Sequence, residues 1–162
     1  ALAKDDHIIA GVTYDPVREE MFTAEEGKGA FLNGAQIKAS ETTELSRSLL
    51  CCDLGYVDEK AGYALDLIRS LWPDMYSVRF MGSSGLGLAY ATAGRVDLYF
   101  HHSLMPWDLA TGLVLAQEAG ARVVDRQGNQ GALFTPSVIV SSPLLVEEFL
   151  RATNGQPWRT AG

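Results

Sequence analysis

Asp108 stands directly after Pro106-Trp107 and directly before the apolar run LATGLVLA. In the first turn of a helix a carboxylate gains about 0.3–1 kcal/mol from the helix dipole. The same position holds the side chain rigidly outward, where it can ligate a hard cation such as Mg²⁺. A second group is GSSGLG, residues 82–87. Its glycine spacing is not that of a dinucleotide loop, and no Lys-Ser/Thr follows as in a P-loop. Its small residues serve either close helix packing or the presentation of N–H groups to an oxyanion or a sugar hydroxyl. His101 and His102 form a third group. Neighbours on a strand point to opposite faces, so the pair is not expected to share a metal, and one ring is expected to face a cleft. No further Cys/His cluster supports zinc. No G-x-S-x-G elbow is present, and the serines read as turn, cap and edge residues.

The elements that must position these groups fall into two stretches. HIIAGVTYDP reads as a strand closed by an Asp15-Pro16 turn, and EEMFTAEEGKGAFLNGAQI as further strands around a glycine-punctuated loop. Gly27, Gly29 and Gly34 suit positive φ or close approach. This is an antiparallel meander, and ALAK reads as the end of a strand already inside a sheet, with an exposed sheet edge expected there. From about residue 47 the rhythm changes. SLLCC is a strand, and Asp58 is offered as the N-cap of a helix. Ala61, Ala64, Leu65, Ile68, Leu71 and Trp72 form its apolar face, and Pro73 ends it. SVRFM is a strand. GSSGLGLAYATAGR is a helix with Leu86, Tyr90 and Ala93 on one face and Gly94 as its stop. VDLYF, ARVVD and SVIVSS are strands, and DLATGLVLAQEAG is a helix. Ser142-Pro143 opens a last helix that buries Leu145, Val146, Phe149 and Leu150. Residues 155–162 read as a frayed polar tail. The expected fold class is a layered α/β sandwich. Residues 1–46 belong to an incomplete N-terminal sheet, and residues 47–154 form an alternating strand/helix domain.

Composition narrows the function classes. The 162 residues are 47% hydrophobic and 20% charged, as in an ordinary globular domain. A net charge of −7 argues against nucleic acid and anionic membrane as partners. Work on phosphates by such a chain calls for cations, and metal ions are the natural source. Cys51 and Cys52 are adjacent in a strand and read as buried reduced thiols of a cytoplasmic protein. No run is long and apolar enough to suggest a membrane span.

Four segments resemble the inositol monophosphatase family in order and spacing: GVTYDPVREEMFTAEEGKGAFLNGAQI, GSSGLGLAYATAGRVDLYF, PWDLATGLVLAQEAGARVVDRQG and VIVSSPLLVEEFL. The third, with its W-D-x-A-x-G and E-A-G elements, is the most specific. The resemblance implies the αβαβα sugar-phosphatase fold and Mg²⁺-dependent hydrolysis of a phosphate monoester such as inositol monophosphate. It implies that Asp108 is a magnesium ligand and that Gly82, Ser83 and Ser84 approach the substrate beside the metals. Where the family often carries a glutamate that grips a ring hydroxyl, this chain has His101, which puts a different substrate group in contact with residue 101. Ser84, Thr111 and Ala121 are smaller departures. The family's other ligands lie in a glutamate pair and an Asp-Pro-x-Asp-Gly-Thr motif, neither of which occurs here. Asp15-Pro16 belongs to the later Y-D-P turn. The chain is therefore expected to be the C-terminal three-fifths of a family member, with no catalytic residue beyond the metal ligand and no activity alone. Expected partners are a small phosphorylated substrate and either the missing N-terminal half or a homodimer mate. Two other functions are compatible with the same residues: a non-catalytic binding or assembly module, and a related sugar or nucleotide bisphosphatase.

Overall fold

A computed structural model describes residues 1–56 and 58–160, with the backbone alone at Asp58. The capping role expected of the Asp58 side chain lies outside the described residues. Five antiparallel strands form the first sheet: β1 (Leu2–Lys4), β2 (His7–Asp15), β3 (Glu20–Glu25), β4 (Gly29–Leu32) and β5 (Ala35–Gln36), in the order β1-β2-β3-β4-β5. Exposed β1 is an edge of this sheet, as the sequence suggests. The β2–β3 turn is tied by Asp15, whose Oδ1 accepts from the backbone N–H of Val17 and Arg18 at 2.9 and 3.2 Å. Gly27, Gly29 and Gly34 all take positive φ.

The second sheet has the order β7-β6-β8-β10-β9. Its strands are β6 (Leu49–Cys52), β7 (Ser77–Phe80), β8 (Leu98–His101), β9 (Arg122–Val124) and β10 (Val138–Ser141). β6 runs parallel to β7 and β8, while β10 is antiparallel to β8 and β9. Helices α2 (Ser84–Thr92) and α3 (Pro106–Glu118) lie between the two sheets. Helices α1 (Asp58–Leu71), α4 (Pro143–Ala152) and α5 (Pro157–Thr160) cover the far face of the second sheet. The stack is sheet, helix pair, sheet, helices. β8 is buried along its whole length because both of its faces are covered.

Glycine sets the closeness of the layers. A Cβ on Gly87 of α2 would stand 2.3 Å from the Tyr99 ring on β8, and one on Gly112 of α3 would stand 2.7 Å from Leu88 on α2. The Glu118 carboxylate at the end of α3 accepts from the amides of Gly27 and Gly29 at 2.9 and 2.8 Å, fastening the glycine loop of the first sheet to the helix layer. Ser142 caps α4 with its hydroxyl on the Leu145 N–H at 3.3 Å, and Pro143 follows at the first helical position.

Three expectations are corrected. The buried stripe of α1 is Ala64, Leu67 and Leu71 with Ile68 beside it, whereas Leu65 and Trp72 are exposed. The stripe is turned because the second sheet and α5 contact that side of the helix. α2 has no single apolar face: Gly87 to Thr92 are all buried, since a middle layer is enclosed from both sides. The segment read as a frayed tail carries α5, and Trp158 is 1% exposed. Its indole packs edge-on against Phe100 and Phe149, with ring centroids 5.3 and 6.3 Å apart. Arg159 locks the segment through the carbonyl of Leu150 at 2.8 Å. Residues 161 and 162 lie outside the described residues.

Candidate active site

Three parallel strands, β7, β6 and β8, end at the same edge of the second sheet, where α2 and α3 begin. Crevices beyond the carboxyl ends of strands are where open α/β sheets place ligands. A cavity of about 840 Å³ opens there, and its walls include Asp53, Gly82, Ser83, Ser84, His101 and Asp108. The fold thus gathers Gly82, Ser83, Ser84, His101 and Asp108 on one cavity, while His102 is not part of its wall. A second cavity, about 620 Å³, lies at Leu113, Gln117, Arg122 and Gln130. It holds none of those residues, and its cation Arg122 is already paired with Glu147.

Asp108 is the third residue of α3 and is half-buried at the cavity wall. Its Oδ2 accepts from the Met105 N–H at 3.0 Å and so caps the helix. Its Oδ1 accepts no hydrogen bond from the described residues. The capping reading is realised, and the second oxygen has no partner among the described residues at a residue that lines the cavity. Among the described residues no group of three or more His, Cys, Asp or Glu side chains is arranged to hold a metal. Asp108 fits a Mg²⁺ ligand set as one donor of several, not as a complete set.

Gly82 turns the chain from β7 into α2 with φ +71°, a value that favours glycine. Ser83 caps α2, its Oγ accepting from the Leu86 N–H at 3.4 Å. The first amides of a helix have no partner within it. Ser84 and Gly85, which carry two of these amides, line the cavity. GSSGLG therefore divides its labour: Gly87 serves packing against Tyr99, while residues 82–85 form cavity wall.

The histidines depart from expectation. His101 is the last residue of β8, so the alternation of faces stops there. The rings of His101 and His102 stack on one another with centroids 4.8 Å apart and planes 21° from parallel. Both residues are 3% exposed, and Gly55, at φ +66°, packs against both rings. The His101 Nδ1 accepts from the Ser103 N–H at 2.9 Å. Neither ring nitrogen of His102 has a hydrogen-bond partner among the described residues. Burial holds both imidazoles down at a pKa of about 4, against which the Asp108 carboxylate pulls His101 upward. His101 is neutral at pH 7, and its proton sits on Nε2 because Nδ1 is an acceptor.

Asp53 was not singled out in the sequence. It is 8% exposed and follows β6 directly. Its Oδ1 accepts from the Gly82 N–H at 2.6 Å and its Oδ2 from the Tyr99 hydroxyl at 3.1 Å. With both oxygens engaged, Asp53 ties the turn before α2 to β8 and so positions the wall. The available signal was an acid at the carboxyl end of a buried strand.

The chain matches the inositol monophosphatase family over residues 1–156. It is 34% identical to the inositol-1-monophosphatase of Mesorhizobium japonicum over 153 residues, which are 94% of this chain and 58% of that protein. It is 37% identical to the Nus factor SuhB of Escherichia coli over 142 residues, 86% of this chain and 52% of that one. Among solved structures, the Thermotoga maritima IMPase superposes with a TM-score of 0.85 at 33% identity, over 93% of this chain and 57% of that chain. The chain spans a little over half the length of the curated relatives it matches. With its layer order, its cavity at the strand ends and a match that runs nearly its whole length, this chain belongs to the inositol monophosphatase family.

Proposed function

We propose that this chain forms one wall of the active site of a Mg²⁺-dependent phosphomonoesterase. Asp108 supplies one metal ligand, and Gly82, Ser83, Ser84 and His101 contact the substrate. The observation that carries the reading is the Asp108 carboxylate, with one oxygen spent on the α3 cap and the other unengaged at the cavity that those residues also line. Bound Mg²⁺ supplies charge neutralisation on phosphoryl oxygens and a more acidic attacking water. The chain's own residues do the rest. Asp108 is held by its helix, so its free oxygen needs no reorganisation to meet a cation. The N-terminus of α2 faces the cavity with unpaired amides, which suits substrate oxygens. Asp53 keeps the α2 turn in register with β8.

One carboxylate does not complete a six-oxygen site. The remaining donors come from beyond the described residues, from a further segment of a family-length protein or from a partner chain. The substrate is a small phosphorylated molecule of the sugar or polyol kind, with nucleic acid and membrane disfavoured by the net charge of −7. A reducing cytoplasmic setting suits two buried free thiols, of which Cys51 is pushed up to about 12 by burial. No described helix is long and apolar enough to cross a membrane.

The test is phosphate release from a panel of phosphomonoesters by a family-length protein carrying this segment, with and without Mg²⁺. Mg²⁺-dependent turnover that Asp108→Asn removes supports the reading, and absence of turnover across the panel overturns it. A second reading, a binding or assembly module without catalysis, is favoured by the lack of a metal-ready cluster among the described residues. A relative named as a Nus factor is compatible with it. Turnover in the same assay excludes it.

A further inference from the structure

The walls of the cavity can be sorted by what each polar group still has to give. Both Asp53 oxygens are engaged, and one Asp108 oxygen is engaged. Among the described residues of the wall, that leaves a single carboxylate oxygen without a partner. Against it stand several free donors. The amides at the start of α2 have no helical partner. The His101 ring lines the cavity, and its Nδ1 is occupied as an acceptor by the Ser103 N–H, so Nε2 carries a hydrogen and can only donate. The ring cannot turn over to reverse these roles without cost. It is stacked on His102 and enclosed by Gly55, whose missing side chain is the room the rings fill. A flip would place the Cδ2–H against the Ser103 N–H, and a change of tautomer would place an N–H there; either leaves that donor unmatched in a buried setting, which is costly.

We infer that His101 is a specificity-determining residue that donates Nε2–H to an anionic oxygen on the substrate, so that the site prefers phosphomonoesters bearing a second anionic group, a carboxylate or a further phosphate, over plain polyol phosphates. This rests on the reading of the cavity as the substrate site. A hydrogen bond to a charged acceptor is stronger than one to a hydroxyl, and its net worth corresponds to about tenfold or more in affinity. A carboxylate at position 101 would have the opposite preference, since it accepts from hydroxyls and repels anions.

The test uses a family-length protein carrying this segment, with Mg²⁺ present, followed by imidazole and amide NMR. The two probes are glycerol 3-phosphate and 3-phosphoglycerate, which differ only by a hydroxymethyl against a carboxylate. The expected result is a neutral His101 with its proton on Nε2 and a dissociation constant for 3-phosphoglycerate about tenfold below that for glycerol 3-phosphate. The ratio should fall to unity or invert in His101→Glu, and survive in part in His101→Gln, which keeps a donor. A proton on Nδ1, a ratio unmoved by His101→Glu, or no response of His101 to either probe overturns the inference. A parallel Mg²⁺ titration of the Asp108 carboxyl resonance separates the two levels. If Asp108 responds and the probe ratio does not depend on residue 101, only the present inference fails. If Asp108 is silent to Mg²⁺, the metal reading fails whatever His101 selects.

Discussion

Helices α2 and α3 begin side by side at the same cavity, yet their ends are finished differently. α3 carries its own carboxylate, Asp108, which caps the Met105 N–H. α2 is capped by the neutral hydroxyl of Ser83 on Leu86 N–H. Both ends carry the positive pole of a helix. At α3 that pole is cancelled and overcompensated by a full negative charge, so the end faces cations. At α2 it is left bare, so the end faces anions. In the proposed site the two helix termini polarise one cavity, with a place for a cation beside a place for an anion. That is the arrangement a metal-assisted attack on a phosphate ester requires.

Breaking the α3 side should have the largest effect. Asp108→Asn keeps a cap acceptor but removes the charge. In a family-length protein it should lower Mg²⁺-dependent phosphate release by about two orders of magnitude or more, while circular dichroism stays unchanged. A variant with near-normal turnover would mean that the carboxylate is only a cap.

Next comes the packing behind α2. Gly87→Ala would place a methyl 2.3 Å from the Tyr99 ring. Tyr99 is fully buried and held by Asp53, so the ring cannot yield easily. A loss of about 1–3 kcal/mol is expected by chemical denaturation. Gly85→Ala, where a Cβ meets nothing, should cost far less and serves as the control.

The stacked histidine pair sharpens the comparison through pH. Both folded pKa values, about 4, lie below the unfolded value of 6.5. The unfolded chain binds more protons in that window, so their contribution to stability is complete above about pH 6.5. It is lost as pH falls toward 4, with a slope of up to about 1.4 kcal/mol per pH unit for each residue. Denaturation midpoints measured between pH 4 and 7 should show this, and His102→Phe should flatten the profile. A flat wild-type profile would mean that acid reaches the rings without unfolding the chain.

The smallest effect probes the neutral cap itself. Ser83→Ala should cost about 1 kcal/mol. Ser83→Asp should restore stability but make the start of α2 resemble that of α3, weakening inorganic phosphate binding. Equal phosphate binding by Ser83→Asp and wild type would show that charge at this terminus is not what distinguishes the two helices.

Much of this was legible in the residues. The strand and helix order, the meander, the Asp15 turn and the Ser142 cap follow from local rules of periodicity and capping, which act within a few residues and so leave their mark on the chain. The residues proposed for chemistry were also legible, partly through resemblance, and they meet on one cavity. What was not legible depends on layers. Trp158 looked like part of a polar tail because its partner Phe100 is distant in sequence and Phe149 lies on the preceding helix. The α1 stripe was displaced because sequence spacing defines a helical face only to within about one residue.

The sequence alone therefore determined the elements and the types of residue at their ends: a carboxylate opening α3, small residues opening α2, histidines closing β8. Only the tertiary structure decided that these ends share a cavity, that Asp53 braces it, and that His101 and His102 lie on the same side with one nitrogen left to donate. The reason is physical. Capping and periodicity are short-range and written in neighbouring residues, whereas the orientation of a buried ring or carboxylate is chosen by hydrogen-bond partners that the folded layers bring from far along the chain.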